Sequence, residues 1–401
     1  MRRAKALVGG FIIALVGGIS YAWGVFVIPM MGEFGWTRFQ ATLPFTVFMV
    51  VFSVFMVPGG RLQDAWGPKK TAGLGAALFL AAYGLSALIR SIRSPWWLVL
   101  TYGVLGGAAC GLSYACVAPP ARKWFPDRPA LAVSIAVMGF GLAAVLFAPF
   151  KANVLIPRLG IDGTFLLIAG IASAFCFLGS RLVSNPPAGW SLPSPARAAA
   201  RPAAPAADAS PSDLPRTGEF WLIWSTFILS VSGGFITLGL IPSYAQHAID
   251  LTAHEAALAI SVFAAVNGFG RPVAGLLADR FGTTRVMLAT FAFQALVFFV
   301  FEFMAIDLPT LLALTGALGW GYAVILGLFP SLTSARFGTR NMGANYGLVF
   351  TAFGIGAFAP LAGAAIFDRT GSFALVFLPA GLLSAGAAIL CGVMEKYRRS
   401  R

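Results

Sequence analysis

Apolar runs of membrane-span length follow one another along this entire chain, and few folds are compatible with that pattern. A run of about 20 apolar residues matches the hydrocarbon core of a bilayer. We read twelve, at 7–32, 40–62, 71–90, 96–120, 128–150, 164–183, 219–245, 253–278, 286–305, 308–331, 341–366 and 372–394. Of the 401 residues, 58% are apolar and only 10% charged, whereas soluble domains carry about 25% charged residues. The expected fold class is an all-α membrane protein with twelve transmembrane helices, because helices satisfy their own backbone groups in lipid. The basic start Met1-Arg2-Arg3-Ala4-Lys5 and the small residues around Ser20-Tyr21-Ala22 imitate a cleavable leader. Apolar character continues without a break to Met31, however, so the segment reads as span 1.

The formal net charge is +14. In a soluble protein that would suggest a nucleic-acid partner, but here the distribution points to topology. With both termini cytoplasmic, 21 of the 28 Lys and Arg residues fall in inside segments. Six fall in outside loops: Arg38, Arg90, Arg93, Lys151, Arg158 and Arg369. This is the positive-inside asymmetry. It implies a lipid bilayer as partner and no nucleic acid. The four cysteines, Cys110, Cys116, Cys176 and Cys391, all lie in apolar spans without metal-ligand spacing, and read as small buried residues. No metal, cofactor or obligate oligomer is implied.

Residues 185–218, "NPPAGWSLPSPARAAARPAAPAADASPSDLPRTG", are rich in Pro, Ala and Ser and cannot bury a core. They read as a flexible cytoplasmic linker between two units of six spans, 1–184 and 219–401. The units look like copies. Gly60, Leu62, Asp64, Gly67 and Lys70 after span 2 recur as Gly275, Leu277, Asp279, Gly282 and Arg285 after span 8, all shifted by 215 positions. Equivalent loops on the same side imply parallel repeats, related by an axis along the membrane normal.

This doubled G-x-L-x-D-x-x-G loop resembles the signature of the major facilitator superfamily, and the resemblance covers the whole chain. It implies two six-helix bundles around a central cavity that opens alternately to each side. The stretches "SYAWGVFVIPMMGEFGW" (20–36), "ARKWFPDRPALA" (121–132), "NPPAGW" (185–190) and "NGFGRPVAGLLADRFG" (267–282) narrow it further. Together they resemble the oxalate–formate antiporter and monocarboxylate transporter branch, and bacterial L-lactate transporters within it. That resemblance implies a multi-pass protein of the bacterial inner membrane. It also implies that Arg271, in span 8, contacts the substrate carboxylate. Two departures stand out. Val25 and Asn267 replace a lysine and an aspartate of the animal monocarboxylate transporters. Phe353 stands near the place of the second cation of the oxalate antiporters.

Charge accounting leads to Arg271 independently. Each of the 14 Asp and Glu residues falls in a loop, the linker, a terminus or a span end, and Asp279 is the closest to Arg271 in sequence. The interior thus reads as holding one fixed charge, a guanidinium without a fixed counter-ion. An arginine at the membrane centre costs at least ~2.5–3.5 kcal/mol, so it should face a wet cavity and a mobile anion. Snorkelling to the cytoplasmic interface is the alternative. It is opposed by direction: span 8 enters from outside, and helical side chains tilt toward their N-terminus.

Asn267 lies one turn back on the same face and can bond a hydroxyl or keto oxygen, or a neighbouring helix. Pro272 removes a helix donor and should make span 8 locally irregular. Tyr114 and Tyr322 could donate hydroxyls at mid-depth, or simply pack. Leu142, Phe350 and Phe353 would wall a pocket for a short alkyl tail. His247 and His254 lie near outside span ends, where they are either surface residues or proton sensors. Asp64 and Asp279, with Lys70 and Arg285, should latch the two bundles by ion pairing and helix capping.

One cation suits one carboxylate. The expected activity is secondary transport of small monocarboxylates such as lactate and pyruvate by alternating access, with proton symport. No mid-depth acid is available to carry that proton. A carboxylate exchanger of the oxalate–formate type and a non-transporting anion sensor are the rivals. No nucleophile–base or metal constellation points to an enzyme.

Overall fold

An unpaired backbone amide in hydrocarbon costs several kcal/mol, so a chain this apolar closes its hydrogen bonds inside helices. The computed structural model describes residues 2–187, 190 and 208–399, and contains no strand among them. Eleven described helical segments are long and apolar enough to cross a bilayer. The twelve expected passes are nevertheless present. The segment Pro129–Leu182 runs for 54 residues, roughly 80 Å of helix against a ~30 Å hydrocarbon layer. Gly160 turns it back with φ 69° and ψ −176°, a conformation that glycine adopts without steric cost. Spans 5 and 6 thus share one helical run, and Lys151–Leu155 before the turn is a π-helical stretch instead of a loop.

Other spans are irregular as well. Span 1 is α-helical over Arg2–Gly18, tightens to a 3₁₀ turn over Ile19–Trp23 and resumes over Gly24–Phe34. Span 4 contains a π-helical stretch, Val99–Gly106. Span 11 breaks between Met342–Gly356 and Ala359–Thr370. Span 8, where Pro272 suggested an irregularity, is instead one helix from Ala253 to Phe281. A proline removes only one donor, and here Gly268 and Gly275 pack this helix against span 5 on both sides of it.

The two halves meet along spans 2 and 11 and along spans 5 and 8. Small residues allow this. A Cβ on Gly60 would collide with the backbone of Gly343, and one on Gly141 with that of Gly268. Close backbone approach through glycine is how membrane helices gain packing without a hydrophobic driving force.

Two aspartates seal the end of the bundle that carries both chain termini. Asp64, at the end of span 2, accepts the N–H groups of Gly343 and Ala344 at 3.2 and 2.8 Å, in the first turn of span 11. Asp279, at the end of span 8, accepts those of Ala130 and Leu131 at 3.0 and 2.9 Å, in the first turn of span 5. Each half therefore caps a helix of the other, and carboxylates at helix N-termini also meet the positive end of the dipole. The expected cationic partners differ. Lys70 is exposed and makes no ion pair among the described residues, while Arg285 pairs with Glu395 inside its own half at 2.8 Å. The cations in electrostatic reach are Lys123 for Asp64, and Arg122 and Arg128 for Asp279. Lys70 and Arg285 begin the helix after each loop and face away from the seam.

Linker residues 188–189 and 191–207, with Arg197 and Arg201, lie outside the described residues. Residues 208–217, assigned above to the linker, pack on the second half. Asp208 accepts the N–H groups of Thr339 and Arg340 at 2.9 and 3.0 Å, and Leu214 is fully buried. On the first half, Trp190 packs against Trp124 and the Arg3 guanidinium.

Hydrogen bonds to a charged group contribute roughly 1.5–3 kcal/mol. Replacing both latch residues, Asp64→Asn and Asp279→Asn, should open this end. A cysteine introduced at Ser134, buried in the seam, is expected to react with a soluble maleimide about tenfold faster in that background, a change of ~1.4 kcal/mol. Unchanged labelling would contradict the latch.

Candidate functional site

Span 8 places Asn267 and Arg271 one helical turn apart, facing span 5. Arg271 is 0% exposed. Its Nε and Nη2 donate to Asn267 Oδ1 at 3.3 and 3.1 Å, and its Nη1 donates to the carbonyl of Val137, on span 5, at 2.5 Å. No carboxylate bonds it among the described residues. The side chain bends back toward the helix N-terminus and crosses the seam between halves. A guanidinium has five N–H donors. Three are used by Asn267 and Val137, and the Tyr114 hydroxyl also stands within hydrogen-bonding reach of the group; the two terminal nitrogens are the pair that a carboxylate takes in two-pronged fashion.

Hydroxyls converge on the same place. Tyr21, Tyr114, Tyr322 and Tyr346 all lie within electrostatic reach of Arg271. Tyr21 of span 1 and Tyr322 of span 10 share a hydrogen bond of 2.9 Å between the halves. The Tyr346 hydroxyl has no partner, so it is free to serve a ligand.

Beside these groups lies a gap, closed in this conformation to the point of holding no water molecule, lined by Tyr21, Phe52, Tyr114, Phe140, Leu326, Phe350 and Phe353. Phe350 and Phe353 stack at 4.8 Å and form one wall, and Phe52 and Phe140, stacked at 5.7 Å, form another. Leu142 is not part of that wall. Its side chain packs on the backbone of Gly268 in the seam of spans 5 and 8, because residues two apart on a helix face different ways. Phe140 takes the wall position instead.

The structure thus gathers Arg271, Asn267, Tyr114, Tyr322, Phe350 and Phe353, with Leu142 just behind. Tyr21, Tyr346, Phe52 and Phe140 were not anticipated. Tyr346 had a legible signal, since it precedes Phe350 and Phe353 by four and seven residues and shares their helical face. His247 lies elsewhere, exposed and bonded to the carbonyl of Ser243, and His254 is exposed as well.

One charge was misplaced. Lys151, assigned to an outside loop, is only 2% exposed. Its Nζ donates to the Ile19 carbonyl at 3.1 Å and lies 5.2 Å from the centre of the Phe26 ring. The interior therefore holds two buried cations. The apolar run of span 5 ends at Phe150 in sequence, but the helix continues through Lys151 and carries it into the first bundle. Lys151 is not among the residues that line the gap.

The Major Facilitator Superfamily family model matches residues 6–252 and 223–401. The chain belongs to that superfamily. Its relatives include the oxalate:formate antiporter of Oxalobacter formigenes, 26% identical over 85% of this chain and 79% of that one. Another is monocarboxylate transporter 13 of Bos taurus, 24% identical over 94% and 85%. Among solved structures, the transporter FucP in the outward conformation superimposes with a TM-score of 0.70 at 16% identity, covering 96% of this chain and 99% of that one. The superfamily member described here is a multi-pass membrane transporter and not an enzyme, in the branch that holds the oxalate–formate and monocarboxylate carriers.

Asn267→Asp tests whether the neutrality of Arg271's partner matters. The new carboxylate would supply a permanent counter-ion about 3 Å from the guanidinium and compete with any arriving anion. Affinity for a small monocarboxylate is expected to fall about tenfold, ~1.4 kcal/mol, because the guanidinium keeps the new aspartate ionised. Isothermal titration at neutral pH reads this directly. Equal affinity in both proteins at neutral pH would contradict it.

Proposed function

We propose that this transporter carries small monocarboxylates, such as lactate and pyruvate, by alternating access and with a co-transported proton. The observation that carries the reading is Arg271, fully buried on the seam between halves with only neutral oxygens for partners. A buried cation of this kind demands an anion. One guanidinium beside an aromatic lining suits one carboxylate with a short tail, admitted when the halves part. Lys151 lies away from the gap and adds no second carboxylate subsite.

In this reading the two halves, joined through residues 191–207, rock against each other. Arg271 bonds to both halves' surfaces through Asn267 and Val137, so an anion that draws the guanidinium away loosens the seam at its centre. Tyr322 and Tyr114 hold the anion's remaining oxygens with Asn267, and Phe350 and Phe353 enclose its tail. Asp64 and Asp279 close the cytoplasmic side, since the positive-inside distribution puts the terminus-bearing end in the cytoplasm of a bacterial cell. Exchange of two carboxylates is the second reading, favoured by the similarity to the oxalate:formate antiporter and by the lack of a mid-depth acid.

The test is uptake of labelled lactate into proteoliposomes under an imposed pH gradient. Symport predicts faster uptake when the outside is acidic. Uptake that ignores the gradient and needs internal substrate, with inhibition by oxalate, would establish exchange. Binding without flux would make the protein a sensor. Arg271→Lys keeps the charge and loses the fork. It is expected to reduce uptake at least about tenfold, or ~1.4 kcal/mol.

A further inference from the structure

Proton coupling needs a group that gains and loses a proton, and the carboxylate site offers none. Arginine keeps its proton at any working pH, whereas a buried lysine changes its charge readily. The first bundle contains such a lysine, in a place with mechanical meaning.

Lys151 meets the break in span 1. Within Ile19–Trp23 the helix tightens, and Ala22 leaves helical geometry at φ −86° and ψ 24°. Such breaks leave backbone carbonyls in need of donors. The Ile19 carbonyl finds one in the Lys151 ammonium at 3.1 Å. Two residues on, Tyr21 reaches across the seam to Tyr322. The same break places Trp23 against Tyr102, with rings 4.2 Å apart. Tyr102 belongs to the π-helical stretch of span 4, and its hydroxyl has no partner. Lys151 itself opens the π-helical stretch of span 5. Three departures from α-helix in this half therefore meet at one core. π-Helical turns are frequent at functional sites.

No carboxylate among the described residues pairs with this cation. The stretch Lys151–Leu155 packs against the outer segment of span 1, against span 5 and against span 6. On those elements the titratable groups are Glu33, Arg158, Asp162, Cys176 and Arg181, with Tyr21 in the break itself, and Pro129–Phe150 carries none. Glu33 and Asp162 both pair with Arg90, at 3.1 and 3.5 Å. Cys176 bonds Ser113 and the Ala72 carbonyl. Arg181 ends span 6 at the terminus-bearing end. Asn153 and Arg158, close by in sequence, are exposed.

We propose that Lys151 is the proton-binding site of the transport cycle, linked to the carboxylate site through the break in span 1 and Tyr21. This rests on the symport reading above. With its proton, Lys151 is a full cation that grips the Ile19 carbonyl and lies against Phe26, holding the break and Tyr21 in place. On release one N–H bond breaks, its electron pair stays on Nζ, and the proton passes to water. The remaining amine grips the carbonyl more weakly, the segment Ile19–Trp23 can straighten, and Tyr21 leaves Tyr322. Lys151 is thus a positioning residue whose hold depends on its charge.

The test uses the full chain in liposomes, with labelled lactate as probe and a trapped pH-sensitive dye. Lys151→Arg and Lys151→Met fix the charge on and off. Both are expected to retain lactate–lactate counterflow within about threefold of wild type, and to lose lactate-driven proton uptake at least about tenfold. A strut with a purely structural role would be rescued by arginine, so proton uptake preserved in Lys151→Arg overturns the proposal. Wild-type counterflow without proton movement also overturns it, while leaving carboxylate transport intact. Absence of counterflow in wild type instead removes the transport reading beneath it. A wild-type measurement guards against variants that do not fold. Amide exchange of residues 19–23, corrected for intrinsic rates, should lose protection at least about fivefold in a single transition as the pH is raised. A flat profile overturns the proposal.

Discussion

A guanidinium held only by neutral oxygens is the constraint around which this transporter is arranged. Arg271 takes one side-chain oxygen from Asn267 and one backbone oxygen from Val137. Either acceptor is replaceable by a stronger one. A carboxylate from solution offers full negative charge and two oxygens at the spacing of the two terminal nitrogens. Asn267 supplies an oxygen without a charge, so the guanidinium keeps its full positive charge. In the proposed reading, that energetic incompleteness is what lets a transported anion be recognised where charges are rare.

The duplicated architecture gives that residue its leverage. The halves touch along two helix pairs, and glycines at both seams bring backbones together. Such seams have shallow relief, so sliding and rocking need little repacking. Aromatic contacts such as Phe52 on Phe350 cross them, and the polar bonds across them among the described residues are few: two aspartate caps at the terminus-bearing end, Arg122 on Ser334, Ser134 on Gly327, Arg271 on Val137, and Tyr21 on Tyr322. The copies have diverged chemically where it counts. Arg271 belongs to the second half and Lys151 to the first.

Much of this was legible in the sequence, for reasons that also mark the limits. Span count followed from hydrophobic runs, because the bilayer imposes a length on each pass. The repeat was legible because Asp64 and Asp279 occur at a fixed offset with their glycines. Arg271 stood out because charges at that depth are rare. The misreadings share a cause. Lys151 sat just past an apolar run, and sequence polarity ends a span where the helix itself need not end. Pro272 suggested a break, but helix packing overrode that local preference, and the break fell at Ile19–Trp23, which contains no proline. Lys70 and Arg285 carry the right charge in the right loop yet point away from the seam, since a repeat motif records position and not direction. Tyr21 and Phe140 were missed because an aromatic in an apolar span has no signature that separates packing from contact.

The aspartate caps have an evolutionary corollary. Their partners are backbone amides of Ala130, Leu131, Gly343 and Ala344, which every residue except proline possesses. The receiving helices can therefore drift in side-chain identity, within the room that the glycine contacts leave, without losing the donor. The donating end tolerates no such drift. The genetic fragility of closure is concentrated at two codons, one in each copy, and a lineage could retune its resting state by altering either alone.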